Sequence, residues 1–142
     1  MKEQTYKNHR QYVFVWHVLT GLALIALIIG AVRNVLTSSE ENLYSATLLL
    51  LVALIMVSIY WYARAFALKA QDRAIRAEEN LRHFALTGKL IDSRITMSQV
   101  IALRFASDNE FPTLVSKAAN EQLTAAQIKK QIKYWRSDLH RV

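Results

Sequence analysis

Read for hydrophobicity alone, the chain opens with two charge-free runs and continues as one long amphipathic stretch and several short periodic segments. Between Arg10 and Arg33 lie 22 residues without Lys, Arg, Asp or Glu, and Asn42–Ala63 is a second run of 22. As helices rising about 1.5 Å per residue, each spans roughly 33 Å, enough for a bilayer core of about 30 Å. Arg33–Glu41 (RNVLTSSEE) is the only interruption. Ser38 or Ser39 can cap the next helix, and Glu40 and Glu41 suit its positive N-terminal dipole. Spans joined by so short a loop are antiparallel neighbours, so the pattern predicts a transmembrane hairpin. A cleaved secretory signal is the competing reading of the first run. The run is longer than a typical signal core and no small-x-small site follows it, so a retained span is expected.

No Gly or Pro breaks the chain between Gly30 and Gly88, and the second span is expected to continue as a helix into Arg64–Leu86. At about 100° per residue, Phe66, Ala67, Ala70, Ala74, Ala77, Leu81, Phe84 and Ala85 fall within an arc of about 100°. Leu68, Ile75 and Leu86 form a narrower stripe roughly opposite. Asp72–Arg76 and Glu78–Arg82 have acid-first i,i+4 spacing, and Gly88 is placed as a left-handed stop. Beyond it, Thr96-Met97-Ser98-Gln99 has capping-box form and starts Met97–Ala106, apolar on almost every side and the expected core of the tail. Asp108 is expected to cap the next helix, with Pro112 in its first turn and Phe111, Leu114, Val115 and Ala118 on one face. Thr124-Ala125-Ala126-Gln127 repeats the capping box, and its helix sets Ile128, Ile132 and Trp135 against Lys129, Lys133 and Arg136. The fold expectation is all-α: residues 1–63 as N-terminal segment and hairpin, 64–88 as a helical extension, 89–142 as a small helical domain.

Charge turns this pattern into an orientation. The 142 residues carry a net charge of +7. Lys2, Lys7 and Arg10 precede the first span and Arg64, Lys69, Arg73 and Arg76 follow the second, while the loop holds one Arg and two Glu. The positive-inside rule then puts both termini in the cytoplasm. Tyr12, Phe14 and Trp16 at one end of the hairpin and Tyr60, Trp61 and Tyr62 at the same depth form an interfacial aromatic belt. Three glycines, one proline and no cysteine argue against a turn-rich β fold and exclude disulfides, thiolate metal sites and a cysteine nucleophile.

The candidate chemistry is sparse. His9, His17, His83 and His140 show no metal-ligand spacing. Glu79 and His83, four apart, read as a charge pair on a solvent-leaning face, and His17 as a belt anchor. There is no phosphate-cradling loop and no GxSxG, so no catalytic residue, cofactor or metal is expected. Ala26 and Gly30 have small-xxx-small spacing suited to close packing of the hairpin or of copies against each other, and Ala70, Ala74, Ala77 and Leu81 offer a second packing surface. Gly21, Ala23, Ser45 and Ala46 are further thin points. Arg104 sits inside the most apolar tail segment, where a guanidinium needs an acceptor. Asp108, Glu110 and Asp92 are the candidates, and an Arg104–Asp108 ion pair is expected. Arg64, Lys69, Arg73 and Arg76 are placed to meet anionic lipid headgroups. Lys129, Lys130, Lys133 and Arg136 add to the basic surface, and nucleic acid is disfavoured because no recognition motif accompanies them.

With LKAQDRAIRAEENLR, IALRFASDNEFPTLV, IKKQIKYWRSDLHRV and the opening EQTYKNHRQYV on the page, the chain resembles an uncharacterised family of small bacterial two-span membrane proteins, a domain of unknown function. The resemblance implies a bacterial integral membrane protein and carries no activity or site; the inner (cytoplasmic) membrane is the expected location. The functional expectation is a structural or interaction protein, not an enzyme, that assembles as a homo-oligomer through its helices. A subunit of a larger transport or secretion complex is the alternative, and an oligomeric channel is the weakest reading.

Overall fold

The computed structural model describes residues 5–6 and 12–138. Lys2, Lys7, His9, Arg10 and His140 lie outside the described residues. Within them the chain is helical, with one isolated antiparallel bridge, Ala106 to Trp135. A π-helical segment, Val15–Thr20, leads into α1 (Gly21–Thr37), followed by α2 (Glu40–Thr87), α3 (Met97–Leu103), α4 (Phe111–Glu121) and α5 (Ala125–Gln131). The expectation of an all-α chain thus holds at the level of its elements. Compact units divide at Ala67–Leu68, so the extension from Leu68 onward belongs to the same unit as the tail, and residues 64–67 to the other.

In the unit Tyr12–Ala67, α1 and the first part of α2 meet through small residues. Ala31, Ala46 and Ala53 are buried, the last two completely or nearly so, because a methyl side chain lets the backbones approach. At one end Trp16 and Tyr60 stack with centroids 4.7 Å apart, and the Tyr60 hydroxyl donates to the Trp16 carbonyl at 3.0 Å. That carbonyl lies in the π-helical segment, where the widened turn admits an outside donor. A Cβ on Gly21 would lie 3.8 Å from the Tyr60 hydroxyl. Ser38 ends α1 in extended conformation, and its hydroxyl donates to Asn34 O at 2.7 Å.

Val15–Thr37 and Glu40–Thr87 each contain a stretch long and apolar enough to cross a membrane, by length and composition. Only 6% and 11% of those stretches are buried within the chain. Leu22, Ile25, Ile29, Leu49, Leu51, Ile55 and Ile59 are among the large apolar side chains left exposed.

The unit from Leu68 onward has a conventional core. Val100, Ala102, Leu103, Phe105, Ala106, Phe111, Ala118 and Ile128 are wholly buried, with Ile75 of α2 in the same cluster. Thr96 and Thr124 both form full capping boxes, with Gln99 and Gln127 reaching back to the cap residue's N–H. Gly88 adopts φ +73° just after α2, and its N–H donates to Phe84 O at 2.7 Å, the left-handed stop the sequence predicts.

Two local expectations change. Asp108 does not cap α4: the residue before the helix is Glu110, without a side-chain cap bond. Glu110 instead accepts the backbone N–H of Lys133 at 3.2 Å and of Tyr134 at 3.1 Å. The last helix does not reach Arg136, because α5 ends at Gln131 with Ile132 extended. The strand-like segment that follows satisfies its backbone against the end of α3: Ser107 N–H donates to Tyr134 O at 3.1 Å and Arg136 N–H to Phe105 O at 2.7 Å. Ile128 and Ile132 remain buried as expected, and Trp135 packs on Phe105 with centroids 5.1 Å apart.

Candidate functional site

Beyond Leu68, α2 packs against the tail along one face. Leu68, Asp72, Ile75, Glu79, Arg82, His83 and Leu86 recur at helical spacing over an arc of about 100°. Within it Ile75, Glu79 and His83 are buried and Arg82 is half-buried. Burial of three ionisable side chains beside one isoleucine requires partners, since an unpaired polar group in a core costs about 1–3 kcal/mol and a charge more.

Arg82 supplies most of them. Its Nη1 donates to Glu79 Oε2 at 2.9 Å, its Nε to Asp108 Oδ1 at 2.7 Å and its Nη2 to Ala106 O at 2.7 Å. The guanidinium also lies over the Phe111 ring, 4.3 Å from the centroid. One side chain of α2 is thus tied to the end of α3, to the following turn and to the start of α4. Glu79, 5% exposed, has a second cation in Arg136 Nη1 at 3.7 Å. Burial pushes the Glu79 carboxyl above the usual carboxylate range, against the hydrogen bond and charge of Arg82 and the charge of Arg136, with Glu78 adding to the push. His83 Nδ1 lies 2.7 Å from Lys89 O, so it carries a proton there, and the ring meets Phe111 edge-on at 5.8 Å. Among the described residues no three His, Cys, Asp or Glu side chains gather as metal ligands would. What gathers at this node is two guanidinium groups on one buried carboxylate, an arrangement that clamps elements together.

This node corrects two sequence expectations. Glu79 and His83 are not a charge pair on a solvent-leaning face; both are buried, and each bonds to other groups. The expected Arg104–Asp108 pair is absent, because Asp108 is taken by Arg82 and Arg104 Nε lies 3.3 Å from Asp138 Oδ2. Arg104 is 6% exposed and also sits over Phe105, 4.7 Å from the centroid. Glu78–Arg82 pairing gives way to Glu79–Arg82, at i,i+3.

The other singled-out residues lie away from the node. Ala70, Ala74, Ala77 and Leu81 are exposed on a different face of α2, with Leu81 at 69% and Phe84, on the same face, at 52%. Lys69 and Arg73 are exposed and Arg64 and Arg76 half-buried; none meets a carboxylate among the described residues. Ala26 and Gly30 face outward from the hairpin, and a Cβ on Gly30 would meet nothing within 4 Å. The small residues that do bring α1 and α2 together are Ala31, Ala46 and Ala53, of which only Ala46 was singled out from the sequence. His17 Nδ1 bonds the Val13 carbonyl at 2.8 Å and its ring stacks on Tyr12.

Sequence reasoning missed Glu79, Arg82 and His83 as packed residues. The signal was present in their spacing: they share the arc of Leu68, Ile75 and Leu86, and a narrow apolar stripe flanked by opposite charges on one face marks a docked side. No curated protein and no solved structure matches the chain. The chain matches the family of unknown function DUF6526 over residues 1–142, its whole length, and belongs to that family.

Proposed function

We propose that the chain is a two-span membrane protein that assembles with copies of itself through the open face of α2, in a structural or interaction role without catalysis. The observation that carries this reading is the contrast between the two sides of one helix. The tail closes the side bearing Ile75, Glu79, Arg82 and His83, and leaves Ala70, Ala74, Ala77, Leu81 and Phe84 uncovered. With Ala67, these recur alternately three and four residues apart, the heptad spacing of helices that pair along a seam. Alanine at most of those positions favours close backbone approach.

Membrane residence is supported by the two apolar stretches, whose side chains the chain itself leaves almost entirely unburied. A core helix of a soluble protein would have them covered. Following the family resemblance and the distribution of Lys and Arg, the proposed location is the bacterial inner membrane with both termini cytoplasmic. Arg64, Lys69, Arg73 and Arg76, without carboxylate partners among the described residues, then lie at the headgroups of anionic lipids. Ala26 and Gly30, outward-facing on α1, are available for contact between hairpins.

The test is the size of the full chain in mild detergent at high concentration, together with crosslinking in cells. A defined oligomer in both supports the reading; a monomer in both contradicts it. The open face also suits a foreign helix, so an accessory role in a larger transport or secretion complex is the alternative. Stoichiometric foreign subunits in a pull-down from native membranes would favour that alternative, and a single band would favour self-assembly.

A further inference from the structure

We infer that Lys130–Arg136, the end of α5 and the extended segment after it, is a second membrane contact, a basic and aromatic surface that rests on anionic lipid headgroups. The inference rests on the membrane reading given under Proposed function, but its residues are distinct from those following the second span. The segment is held by its backbone, by Trp135 packed on Phe105 and by Arg136 on Glu79. Both oxygens of Glu110 are occupied by backbone N–H groups, Oε2 by Lys133 and Oε1 by Tyr134. Tyr134 O and Arg136 N are fixed to Ser107 N and Phe105 O. Trp135 turns inward onto Phe105, so the alternation of an extended chain sends its neighbours outward. Tyr134 is accordingly 72% exposed; Arg136 is exposed but paired with Glu79, and Lys130 and Lys133 are exposed without a carboxylate partner among the described residues.

A carboxylate spent on backbone donors leaves the cations beside it unneutralised, and an exposed tyrosine between them has the amphipathic character favoured at a membrane–water interface. Each cation near an anionic surface is worth about fivefold in binding. Nucleic acid would use the same charges, but one exposed tyrosine is a poor stacking platform for successive bases.

The chain has no cysteine, so Ser137→Cys gives a single labelling site on an exposed residue beside the loop. The full chain carrying a fluorophore there is placed in discs of phosphatidylcholine alone or with phosphatidylglycerol, each containing nitroxide-labelled lipid. The expected result is strong quenching in the anionic discs and little in the neutral ones. The Lys130→Gln and Lys133→Gln pair should weaken the anionic response about 25-fold, without disturbing the backbone bonds that Glu110 makes. Equal quenching in both discs, or none in either while the chain still co-elutes with the discs, overturns the inference. A label that responds to single-stranded oligonucleotide in neutral discs and not to phosphatidylglycerol overturns it in favour of nucleic acid. A chain that fails to co-elute with the discs overturns the membrane reading itself, and this inference with it.

Discussion

The two sides of α2 beyond Leu68 are built from opposite materials, and the polar one is the side that is buried. The covered face places Glu79, Arg82 and His83 beside Ile75; the open face is alanine, leucine and phenylalanine. Hydropathy alone would assign the burial the other way round. The covered face works because every buried ionisable group there has a partner: Asp108 and Ala106 O across the interface for Arg82, Arg82 and, across it, Arg136 for Glu79, and Lys89 O just past the helix for His83. The open face has no such partners among the described residues, and its apolar side chains need none. A charge pattern on a helix therefore marks docking as readily as solvation, provided the rest of the chain offers complementary groups.

Four substitutions separate the faces. The largest effect is expected from Arg82→Ala on the covered side. It leaves Glu79 with only Arg136 at 3.7 Å and frees Asp108, so the unit should lose about 3–5 kcal/mol by denaturant unfolding, the cost of stripping one partner from a buried pair. Glu78→Ala, one residue from the node but on the exposed side, should change stability by less than about 0.5 kcal/mol. Equal losses for the two would erase the distinction between the faces.

On the open side, Ala74→Glu and Ala77→Glu together should leave that same unfolding curve within about 0.5 kcal/mol of the parent, because neither side chain is packed in the single chain. They should abolish assembly, read by mass in detergent or nanodiscs, since a seam of alanines cannot take up carboxylates. An oligomer of unchanged mass would refute the open face as the seam.

The pH response sharpens the covered side further. The Glu79 carboxyl is raised above its unfolded value of 4.5, chiefly by burial. Its contribution is therefore fully present below that value and fades as pH rises through the raised one. Lowering the pH from neutral toward 5 should stabilise the unit through Glu79, and Glu79→Gln should flatten that slope. Asp92 works in the opposite sense: hydrogen bonds from Arg94 hold its carboxyl at about 2, so its contribution is lost as pH falls from its unfolded 3.8 toward that value. A parent and Glu79→Gln variant with the same slope between pH 7 and 5 would contradict the assignment.

The smallest effect belongs to the strip between the faces. Lys69→Gln and Arg73→Gln should each weaken binding to anionic vesicles by at most about 1 kcal/mol, with no change in unfolding or in oligomer mass. A change in either would make these cations part of one of the faces.

Local signals were legible in the sequence and long-range pairings were not. The two capping boxes at Thr96 and Thr124, the stop at Gly88, the buried run within Met97–Ala106 and the apolar face of α4 all rest on contacts a few residues apart, and all were read correctly. Asp108 has cap chemistry and sits three residues before α4, yet its carboxylate goes to Arg82, 26 residues earlier. Arg104 needs an acceptor, as its surroundings demanded, but finds it in Asp138. That pairing exists only because α5 stops at Gln131 and the extended chain returns along Phe105–Ser107. The helical periodicity of Ile128, Ile132 and Trp135 fits both courses, so it gave no warning of the turn. Small-xxx-small spacing marked Ala26 and Gly30 for packing within the hairpin or between copies; within the hairpin they face outward, and the buried small residues are Ala31, Ala46 and Ala53. Small residues occur all round α1, and their spacing does not say which side meets α2.

The most direct test of the central claim, that α2 carries one closed face and one face for a second copy, is disulfide scanning of the cysteine-free chain in native membranes. Single cysteines are placed at Ile75 on the closed face and at Ala74 and Ala77 on the open one. A seam of alanines brings paired Cα atoms within the roughly 4.4–6.8 Å that a disulfide needs. Oxidised dimers are expected from Ala74→Cys and Ala77→Cys and none from Ile75→Cys. Dimers at Ile75 as readily as at the alanines, or at none of the three while the chain remains in the membrane fraction, would contradict it.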